Sequence, residues 1–277
     1  MQKRVMAIHD ISCFGKCSVT AALPILSAAG MEVCPVPTAV LSTHTGGFEG
    51  YTFEDLTHNI LPVANHFKSL DIQFDSIYSG YLGSFDQIEY MKTIIDMFKK
   101  EKTIVMVDPV MGDNGKLYAG FDMNFAREMA SLCKKADIIV PNVTEAAFMT
   151  DTEYLKPPFT KDYIELLIKK LTSITDGDIV LTGAVLKKGQ TGIAIYNNGN
   201  TEYVTEPECE GMYHGTGDVF ASTLLAGLLN GLTLKEAGAL AAKFIPMCIE
   251  KTKELGVFYG VNFEQCIPML LKMLKLM

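Results

Sequence analysis

The sequence predicts an α/β fold with three layers, in which helices cover both faces of a mostly parallel central sheet. Short apolar and β-branched runs alternate with longer helical patterns along the 277-residue chain, which is typical of parallel sheets. Two late strand patterns joined by a tight turn add an antiparallel hairpin at one edge. No linker, repeat or low-complexity segment separates two regions, so residues 1–277 are expected to form one domain.

The elements follow one another in a regular order. Six strands are predicted before the hairpin, at residues 5–8, 33–40, 76–78, 103–107, 137–140 and 178–182. Helical patterns occupy residues 18–29, 53–67, 87–100, 125–134 and 163–173. Gly30 ends the first helix, and Pro109 and Pro141 halt two of the strands. The hairpin comprises residues 192–196 and 202–205, joined through Asn198-Gly199, a pair that tight hairpin turns favour. Most of the remaining C-terminal part is expected to be helical.

Composition narrows the classes of partner. Lys plus Arg is 24 and Asp plus Glu is 32, which gives a formal net charge of -8. The chain has no basic run that could follow a nucleic-acid backbone and no apolar stretch as long as a membrane span. The apolar run at residues 5–8 is too short for a signal peptide. We expect a cytoplasmic protein without nucleic-acid or membrane partners, and an acidic protein can still bind a polyphosphate that carries a metal ion.

Polar or Gly-rich residues follow each of the six predicted strands. In an open parallel sheet, ligands bind beyond the C-terminal ends of the strands. The six segments comprise residues 9–12, 43–47, 79–84, 108–113, 141–145 and 182–183. A purely structural protein has no need for polar residues at all six ends, so this edge of the sheet is the candidate site.

The tetrapeptide Gly215-Thr216-Gly217-Asp218 precedes an apolar run at residues 219–229 that is typical of a buried helix. Two glycines permit a tight turn with free N–H groups, and a helix N-terminus favours an anion. Asp218 could hold and deprotonate a hydroxyl there, with a pKa that the helix dipole is expected to depress. The structural alternative is that Asp218 only caps the helix.

Two other phosphate-binding motifs are excluded. Gly15-Lys16 resembles the end of a P-loop, but Asp10 occupies the first glycine position and Cys17 the Ser/Thr position. Phe220 stands where a dinucleotide-binding fingerprint requires its third glycine.

The remaining candidate residues also have structural interpretations. Asn142 and Glu145 fit a reciprocal helix cap. His44 could be a hydrogen-bonded core residue, Tyr81 could simply pack, and Thr182 could merely end a strand.

Taken together, the motifs resemble one family over nearly the whole chain and in the right order. They are His44-Thr45, Ser79-Gly80-Tyr81-Leu82-Gly83-Ser84, Asp108-Pro109-Val110-Met111-Gly112-Asp113, Pro141-Asn142-x-x-Glu145 and Gly215-Thr216-Gly217-Asp218. This set is similar to the signature of pyridoxal kinases, which belong to the ribokinase-like superfamily of small-molecule kinases. The resemblance implies an ATP-dependent kinase of vitamin B6 vitamers that works with Mg²⁺ and as a homodimer, with a monovalent cation as a further candidate cofactor.

The resemblance also implies residue roles on the phosphate side. Asp218 would accept the proton of the substrate hydroxymethyl group, and the amides of Gly215, Thr216 and Gly217 would form the anion hole. The residues implied for ATP and magnesium are Asp108, Asp113, Asn142, Glu145, Thr182 and Gly183, with Asp113 and Glu145 as candidate Mg²⁺ ligands.

On the substrate side, the resemblance implies that Asp10, His44, Thr45 and Tyr81 hold the pyridine ring. Residues 113–120 would form a lid.

One departure from the family pattern keeps an alternative open. The compared pyridoxal kinases tend to carry Ser at the position of Asp10 and Gly-Asn at the position of Ser18-Val19. An aspartate there is similar to hydroxymethylpyrimidine kinases of thiamine synthesis, although those usually carry Cys in place of Asp218 and lack the Ser-Gly-Tyr segment. A non-catalytic ligand-binding member is the third hypothesis, and the intact Asp218 argues against it.

Overall fold

The computed structural model describes residues 2–211, 213–257 and 259–277. This part of the chain forms the strands β1 (Arg4–Phe14), β2 (Glu32–Thr43), β3 (Phe53–Asp55), β4 (Ser76–Ser79), β5 (Ile104–Val107), β6 (Gly112–Asp113), β7 (Lys116–Leu117), β8 (Ile138–Ile139), β9 (Asp178–Thr182), β10 (Gln190–Asn197) and β11 (Asn200–Pro207). The helices are α1 (Val19–Ala28), α2 (Thr57–Ser69), α3 (Phe85–Phe98), α4 (Met123–Cys133), α5 (Val143–Met149), α6 (Lys161–Leu171), α7 (Thr216–Leu229), α8 (Leu234–Glu254) and α9 (Ile267–Met273), with a 3₁₀ turn at Glu264–Cys266 before the last.

One nine-stranded sheet carries the fold, in the order β11-β10-β9-β8-β5-β4-β1-β2-β3. The six strands from β9 to β2 in this order are parallel, β3 pairs antiparallel with β2, and the β10–β11 hairpin closes the other edge. The predicted α/β class and late hairpin are therefore confirmed. The Asn198-Gly199 turn has positive φ at both residues, which is the backbone that its sequence favours.

Alternate side chains of the central strands fill two apolar cores. Val105 and Val107 of β5 join one core with residues of α2 to α6, whereas Met106 between them joins the other with residues of α1, α7, α8 and α9. This alternation is the period of two that a strand imposes, so both faces of the sheet are covered by helices. Within the described residues, no helix is both long enough and apolar enough to cross a membrane.

Several elements differ from the prediction, and the differences at β1, β2 and β3 depend on tertiary pairing. β1 and β2 run beyond the predicted ends, because they stay paired past an irregularity between His9 and Ile11. Phe53–Asp55 is a strand rather than the start of a helix, because it pairs with β2. The Asp55 carboxylate then accepts a bond from the Thr57 amide, and α2 begins there. For α5, the sequence predicted only the helix cap formed by Asn142 and Glu145. For β6 and β7, it predicted only a turn at Asp113-Asn114-Gly115.

Candidate active site

The C-terminal ends of the parallel strands bring the predicted segments to one edge of the sheet. There, four carboxylates lie close enough to influence one another, and they belong to Asp10, Asp108, Glu145 and Asp218. Among the described residues, none of the four forms an ion pair with Lys or Arg. The site is therefore strongly negative, and any anion bound there needs accompanying positive charge.

The first turn of α7 is shaped by its two glycines. Gly215 has a φ of 80°, and a Cβ at this position would lie 1.9 Å from the carbonyl oxygen of Lys16. Only glycine therefore allows the loop before α1 to touch the start of α7. Gly217 is exposed and has no atom within 4 Å of its would-be Cβ. The N–H groups of this turn thus border open space, as an anion-binding helix terminus requires.

Asp218 extends from this turn and has an unusual acidity. Burial raises its pKa to about 7, and the charge of Asp10 acts in the same direction. The Ser18 amide and its own amide act in the opposite direction but do not compensate. The expectation of a depressed pKa is therefore wrong, since the loss of water outweighs the helix dipole. At neutral pH the carboxyl group is close to half ionised, as suits a general base.

Asn142 and Glu145 form the predicted reciprocal cap of α5. The Asn142 Oδ1 accepts a bond from the Glu145 amide at 2.9 Å, and the Glu145 Oε2 accepts one from the Asn142 amide at 2.8 Å. The other Glu145 oxygen accepts a bond from the Met111 amide at 3.1 Å, and the Asn142 Nδ2 donates to the Gly112 carbonyl at 2.8 Å. The two side chains therefore tie α5 to the start of the β6–β7 hairpin as well as capping the helix.

Asp108 is the least satisfied of the four carboxylates. It is 8% exposed, and its carboxylate takes part in no hydrogen bond within the described ranges. Burial, followed by the charges of Glu145 and Asp218, raises its pKa well above the usual range. Burial also raises the pKa of Glu145, but the backbone amides that bond to Glu145 oppose the shift. Without a cation, burial and mutual repulsion therefore favour protonation within this pair of carboxyl groups.

The β6–β7 hairpin covers this part of the site. The Asp113 carboxylate accepts bonds from the Asn114 backbone and side-chain nitrogens, so it stabilises the turn. The Gly115 amide donates to the Thr144 hydroxyl at 3.0 Å, which anchors the tip of the hairpin to α5. Tyr118 follows the hairpin, and the carboxylates of Glu145, Asp113, Asp108 and Asp218 all add to the effect of burial in raising its pKa. A phenol at this position was not anticipated from the sequence.

Thr182 and Gly183 lie beside Asn142. The Thr182 amide donates to the Pro141 carbonyl at 2.8 Å, and Thr182 pairs with Asn142 as an isolated parallel bridge. Gly183 has a φ of 70°, and no atom lies within 4 Å of its would-be Cβ. These residues extend the same side of the site as Asn142 and leave open space next to Gly183.

Tyr81 forms one wall of a second part of the site, next to Asp10. Burial raises the pKa of its phenol to about 12, and the charge of Asp10 is the next cause. Its ring lies 5.8 Å from that of Phe121, and the Thr38 hydroxyl donates to its carbonyl at 3.1 Å. Buried Gln87 supports the loop from below, since its Oε1 accepts a bond from the Gly83 amide at 2.7 Å.

His44 holds the rim of this pocket. Its Nδ1 accepts a bond from the Gly46 amide at 3.2 Å, so the Nε2 proton donates to the Tyr259 carbonyl at 3.0 Å. Its ring contacts those of Phe48 and His214, at centroid distances of 4.9 Å each. His44 is buried, whereas Thr45 beside it is exposed. His44 is therefore a buried residue whose ring nitrogens both form hydrogen bonds with the protein, as the structural interpretation expects.

Several residues that shape the site were given no role from the sequence: Ser12, Ser18, Thr38, Gln87, Tyr118, Phe121 and His214. Ser12 and Tyr118 lie within segments 9–12 and 113–120, which the sequence singled out, and His214 directly precedes the Gly-Thr-Gly-Asp segment. Thr38, Gln87 and Phe121 lie outside the segments that the sequence singled out.

No group of three or more His, Cys, Asp or Glu side chains within the described residues could hold a metal ion by itself. A resident metal would therefore need further ligands from a bound molecule or from water, which is how Mg²⁺ is commonly held beside phosphates.

Comparison with known proteins identifies the family. A family model for phosphomethylpyrimidine kinases matches residues 13–262. The chain belongs to the phosphomethylpyrimidine kinase family. The pyridoxal kinase of Dictyostelium discoideum is 28% identical over 97% of this chain and 90% of its own length. The expected resemblance to vitamin B6 kinases and the expectation of a kinase are therefore confirmed.

Solved structures of this family share the fold. A provisionally assigned phosphomethylpyrimidine kinase from Bacteroides thetaiotaomicron, in a crystal form with pyridoxal, is 37% identical, with a TM-score of 0.91 over 98% of this chain and 96% of that one. The pyridoxal kinase of Lactobacillus plantarum is 30% identical, with a TM-score of 0.90 over 98% of this chain and 97% of that one. These similarities confirm the ribokinase-like fold.

Proposed function

We propose that this kinase transfers the γ-phosphoryl group of ATP to the 5'-hydroxymethyl group of a vitamin B6 vitamer. The observation that carries the proposal is the position of Asp218. Its carboxyl group, with a pKa of about 7, lies at the open first turn of α7. It interacts electrostatically with the carboxyl groups of both Asp10 and Asp108. A candidate general base, an open helix N-terminal turn and the half-buried ring of Tyr81 thus meet at one edge of the sheet.

Proton transfer is the role of Asp218. In its ionised form it accepts a hydrogen bond from the substrate hydroxyl and takes the proton as the new O–P bond forms. The N–H groups of Gly215, Thr216 and Gly217 stabilise the negative charge on the transferring phosphoryl oxygens. Little further covalent chemistry is needed, because phosphoryl transfer depends mainly on positioning and charge stabilisation.

The carboxylates of Asp108, Asp113 and Glu145 suit Mg²⁺ that arrives with ATP. The Asp108 carboxylate has no hydrogen bond within the described ranges and is influenced by the charges of Glu145 and Asp218, and Asp113 belongs to the covering hairpin. When bound, Mg²⁺ supplies positive charge that no Lys or Arg ion pair provides to these carboxylates in the described residues. The residues present fit the ion only together with phosphate or water oxygens, because no three such side chains in the described part of the chain could hold a metal alone, and Asp108 joins Asp113 and Glu145 as a candidate ligand.

The two substrates would lie on opposite sides of Asp218. Asn142, Thr182 and Gly183 form the proposed nucleotide side, and Asp10, His44, Thr45 and Tyr81 the proposed pyridine side. Tyr81 offers a half-buried ring against which a flat heterocycle can stack. His44 acts by fixing the rim of the pocket, since its own ring nitrogens bond to the protein backbone.

Hydroxymethylpyrimidine phosphorylation is a second candidate function. Two observations favour it: the name of the matching family, and the carboxylate of Asp10 where compared pyridoxal kinases tend to carry Ser. Vitamin B6 remains the better candidate, because the Ser-Gly-Tyr segment and Asp218 are both present and both lie at the site.

One assay separates these candidates. ADP release is measured with ATP, Mg²⁺ and, in turn, pyridoxal, pyridoxine, pyridoxamine and hydroxymethylpyrimidine. We expect turnover with at least one B6 vitamer and a higher kcat/KM than with the pyrimidine. Turnover with the pyrimidine alone would establish the second function, and no turnover with any of them would contradict both.

A homodimer in the cytoplasm and a monovalent-cation requirement complete the proposal. Light scattering of the purified protein tests the homodimer. Cell fractionation tests the location, and activity with and without K⁺ tests the cation.

A further inference from the structure

Asp10 is a buried carboxylate held in one orientation. It lies on β1 at the irregularity in pairing with β2, between His9 and Ile11, and is 5% exposed. Its Oδ2 accepts a bond from the Ser12 hydroxyl at 3.0 Å, and its Oδ1 accepts one from the Ser18 hydroxyl. Ser18 itself has a φ of 53°, which places its hydroxyl beside β1 at the start of α1. Two donors on two elements thus fix the plane of the carboxylate.

The charge of Asp10 is not compensated within the described residues. It forms no ion pair with Lys, Arg or His there. The titratable groups that interact with it are His44, Tyr81, Cys17 and Asp218. Burial raises its own pKa, and the two serine hydroxyls oppose that shift. A buried carboxylate without a cationic partner is costly unless a ligand supplies one.

The remaining lone pairs of Asp10 are available to a ligand. An ionised carboxylate can accept about four hydrogen bonds, and Asp10 accepts from the hydroxyls of Ser12 and Ser18 and from its own backbone amide, which leaves acceptor capacity for a ligand. Tyr81 and Asp218 stand near Asp10, so a ring stacked on Tyr81 with its hydroxymethyl group at Asp218 would bring its other polar groups close to this carboxylate.

We propose that Asp10 sets substrate specificity by accepting a hydrogen bond from a positively charged nitrogen of the vitamer. Two nitrogens share this chemistry, the protonated ring nitrogen of any vitamer and the ammonium group of pyridoxamine. The inference rests on the proposed function and names the charge state of the substrate that this chain prefers. It also assigns Ser12 and Ser18 as positioning residues that orient the carboxylate.

Binding to Asp10→Asn tests the proposal without chemistry at Asp218. Dissociation constants are measured without ATP for pyridoxine, pyridoxamine and an analogue of pyridoxine whose ring nitrogen is replaced by carbon. Asparagine keeps the size of Asp10 and can still bond to both serines. Because a charge-assisted hydrogen bond is lost, we expect binding of the charged ligand to weaken about 10- to 100-fold. The carbon analogue should bind both proteins about equally.

The pattern of losses identifies the nitrogen. Weaker binding of both vitamers assigns the ring nitrogen, and weaker binding of pyridoxamine alone assigns its ammonium group. An equal loss for the carbon analogue, or no loss for either vitamer, would overturn the proposal. Asp10→Ser serves as a second variant if Asp10→Asn has a lowered thermal midpoint. Turnover of the parent protein with the same vitamers is measured in parallel. If the parent shows no turnover, the proposed function is contradicted rather than the role of Asp10.

Discussion

Burial outweighs the helix dipole at Asp218. A carboxylate at a helix N-terminus gains at most about 2 kcal/mol in its ionised form. Loss of water favours the protonated form more strongly, and the pKa rises to about 7. A group with this pKa combines partial ionisation at neutral pH with useful proton affinity. The same burial that makes Asp218 costly to ionise thus makes it a suitable base.

The pH dependence of kcat/KM should report this group. Asp218 must be ionised to accept a proton, so kcat/KM should rise with pH and level off above about pH 7. The measurement uses saturating Mg²⁺–ATP and two vitamers. A midpoint that is the same for both vitamers belongs to the protein rather than to the substrate. A flat profile between about pH 6 and 8 would show that Asp218 does not titrate there.

Asp108 and Asp113 make a matched pair for the Mg²⁺ site. Asp108→Asn removes a carboxylate that has no hydrogen bond among the described residues, so the fold should tolerate the change. We expect the Mg²⁺ concentration for half-maximal activity to rise about tenfold or more, as for loss of a charge-assisted contact. Asp113→Asn should have a smaller effect, because that carboxylate already bonds to Asn114. Equal Mg²⁺ requirements in parent and Asp108→Asn would exclude Asp108 as a ligand.

Substitutions in the first turn of α7 can separate effects on stability from effects on activity. Gly217→Ala places a methyl group in open space within a helix, where alanine is favoured over glycine by up to about 1 kcal/mol. The thermal midpoint should therefore stay or rise. The methyl group would occupy space needed by the phosphoryl oxygens, and turnover should fall about 10²-fold.

Gly215→Ala provides the contrast within the same turn. Its Cβ would clash with the Lys16 carbonyl, so this variant should lose stability as well as activity. A Gly217→Ala protein with parental turnover would show that phosphate does not bind at this turn.

Elements with strong local signals could be predicted from sequence. The Asn198-Gly199 hairpin, the Asn142–Glu145 cap and the buried helix α7 each depend on residues that are neighbours in the chain. β3 could not be predicted, because Phe-Glu-Asp becomes a strand only through its pairing with β2. The extensions of β1 and β2 likewise depend on each other.

The candidate site residues could be named from sequence motifs, whereas their acidities could not be predicted. Asp108 and Asp218 could be named from motifs, whereas the mutual repulsion that raises the pKa of Asp108 depends on which strand ends become neighbours. Gln87 and Phe121 carried no signal, because their roles arise from loops that fold over the sheet edge.

For the whole molecule, the buried carboxylates make stability depend on pH. The pKa values of Glu145 and Asp218 are raised in the folded state, so the folded protein binds more protons than the unfolded chain. Stability should therefore fall as pH rises from just above the unfolded carboxyl values, about pH 4.5, to about pH 8. His9, whose pKa burial lowers to about 3, opposes part of this fall up to about pH 6.5, because only the unfolded chain protonates it there. Thermal midpoints without ligands should decrease over this range, and less steeply in Asp218→Asn. An equal decrease in both proteins would assign the effect to other groups.

The continuous sheet from β1 to β11 is consistent with one domain over residues 1–277, which remains a prediction. Limited proteolysis would test it, since a single domain should yield no stable large fragment.

The central claim is that Asp218 is the general base, and turnover of Asp218→Asn tests it most directly. Asparagine keeps the shape of the side chain but cannot take a proton. The start of α7 loses no cap in this variant, because Gly215 is its N-cap residue and no side chain caps it. Turnover should fall about 10²- to 10⁴-fold, with vitamer and ATP affinities nearly unchanged and a thermal midpoint no lower than that of the parent. A folded Asp218→Asn protein with near-parental turnover would contradict the role of Asp218 and the proposed mechanism.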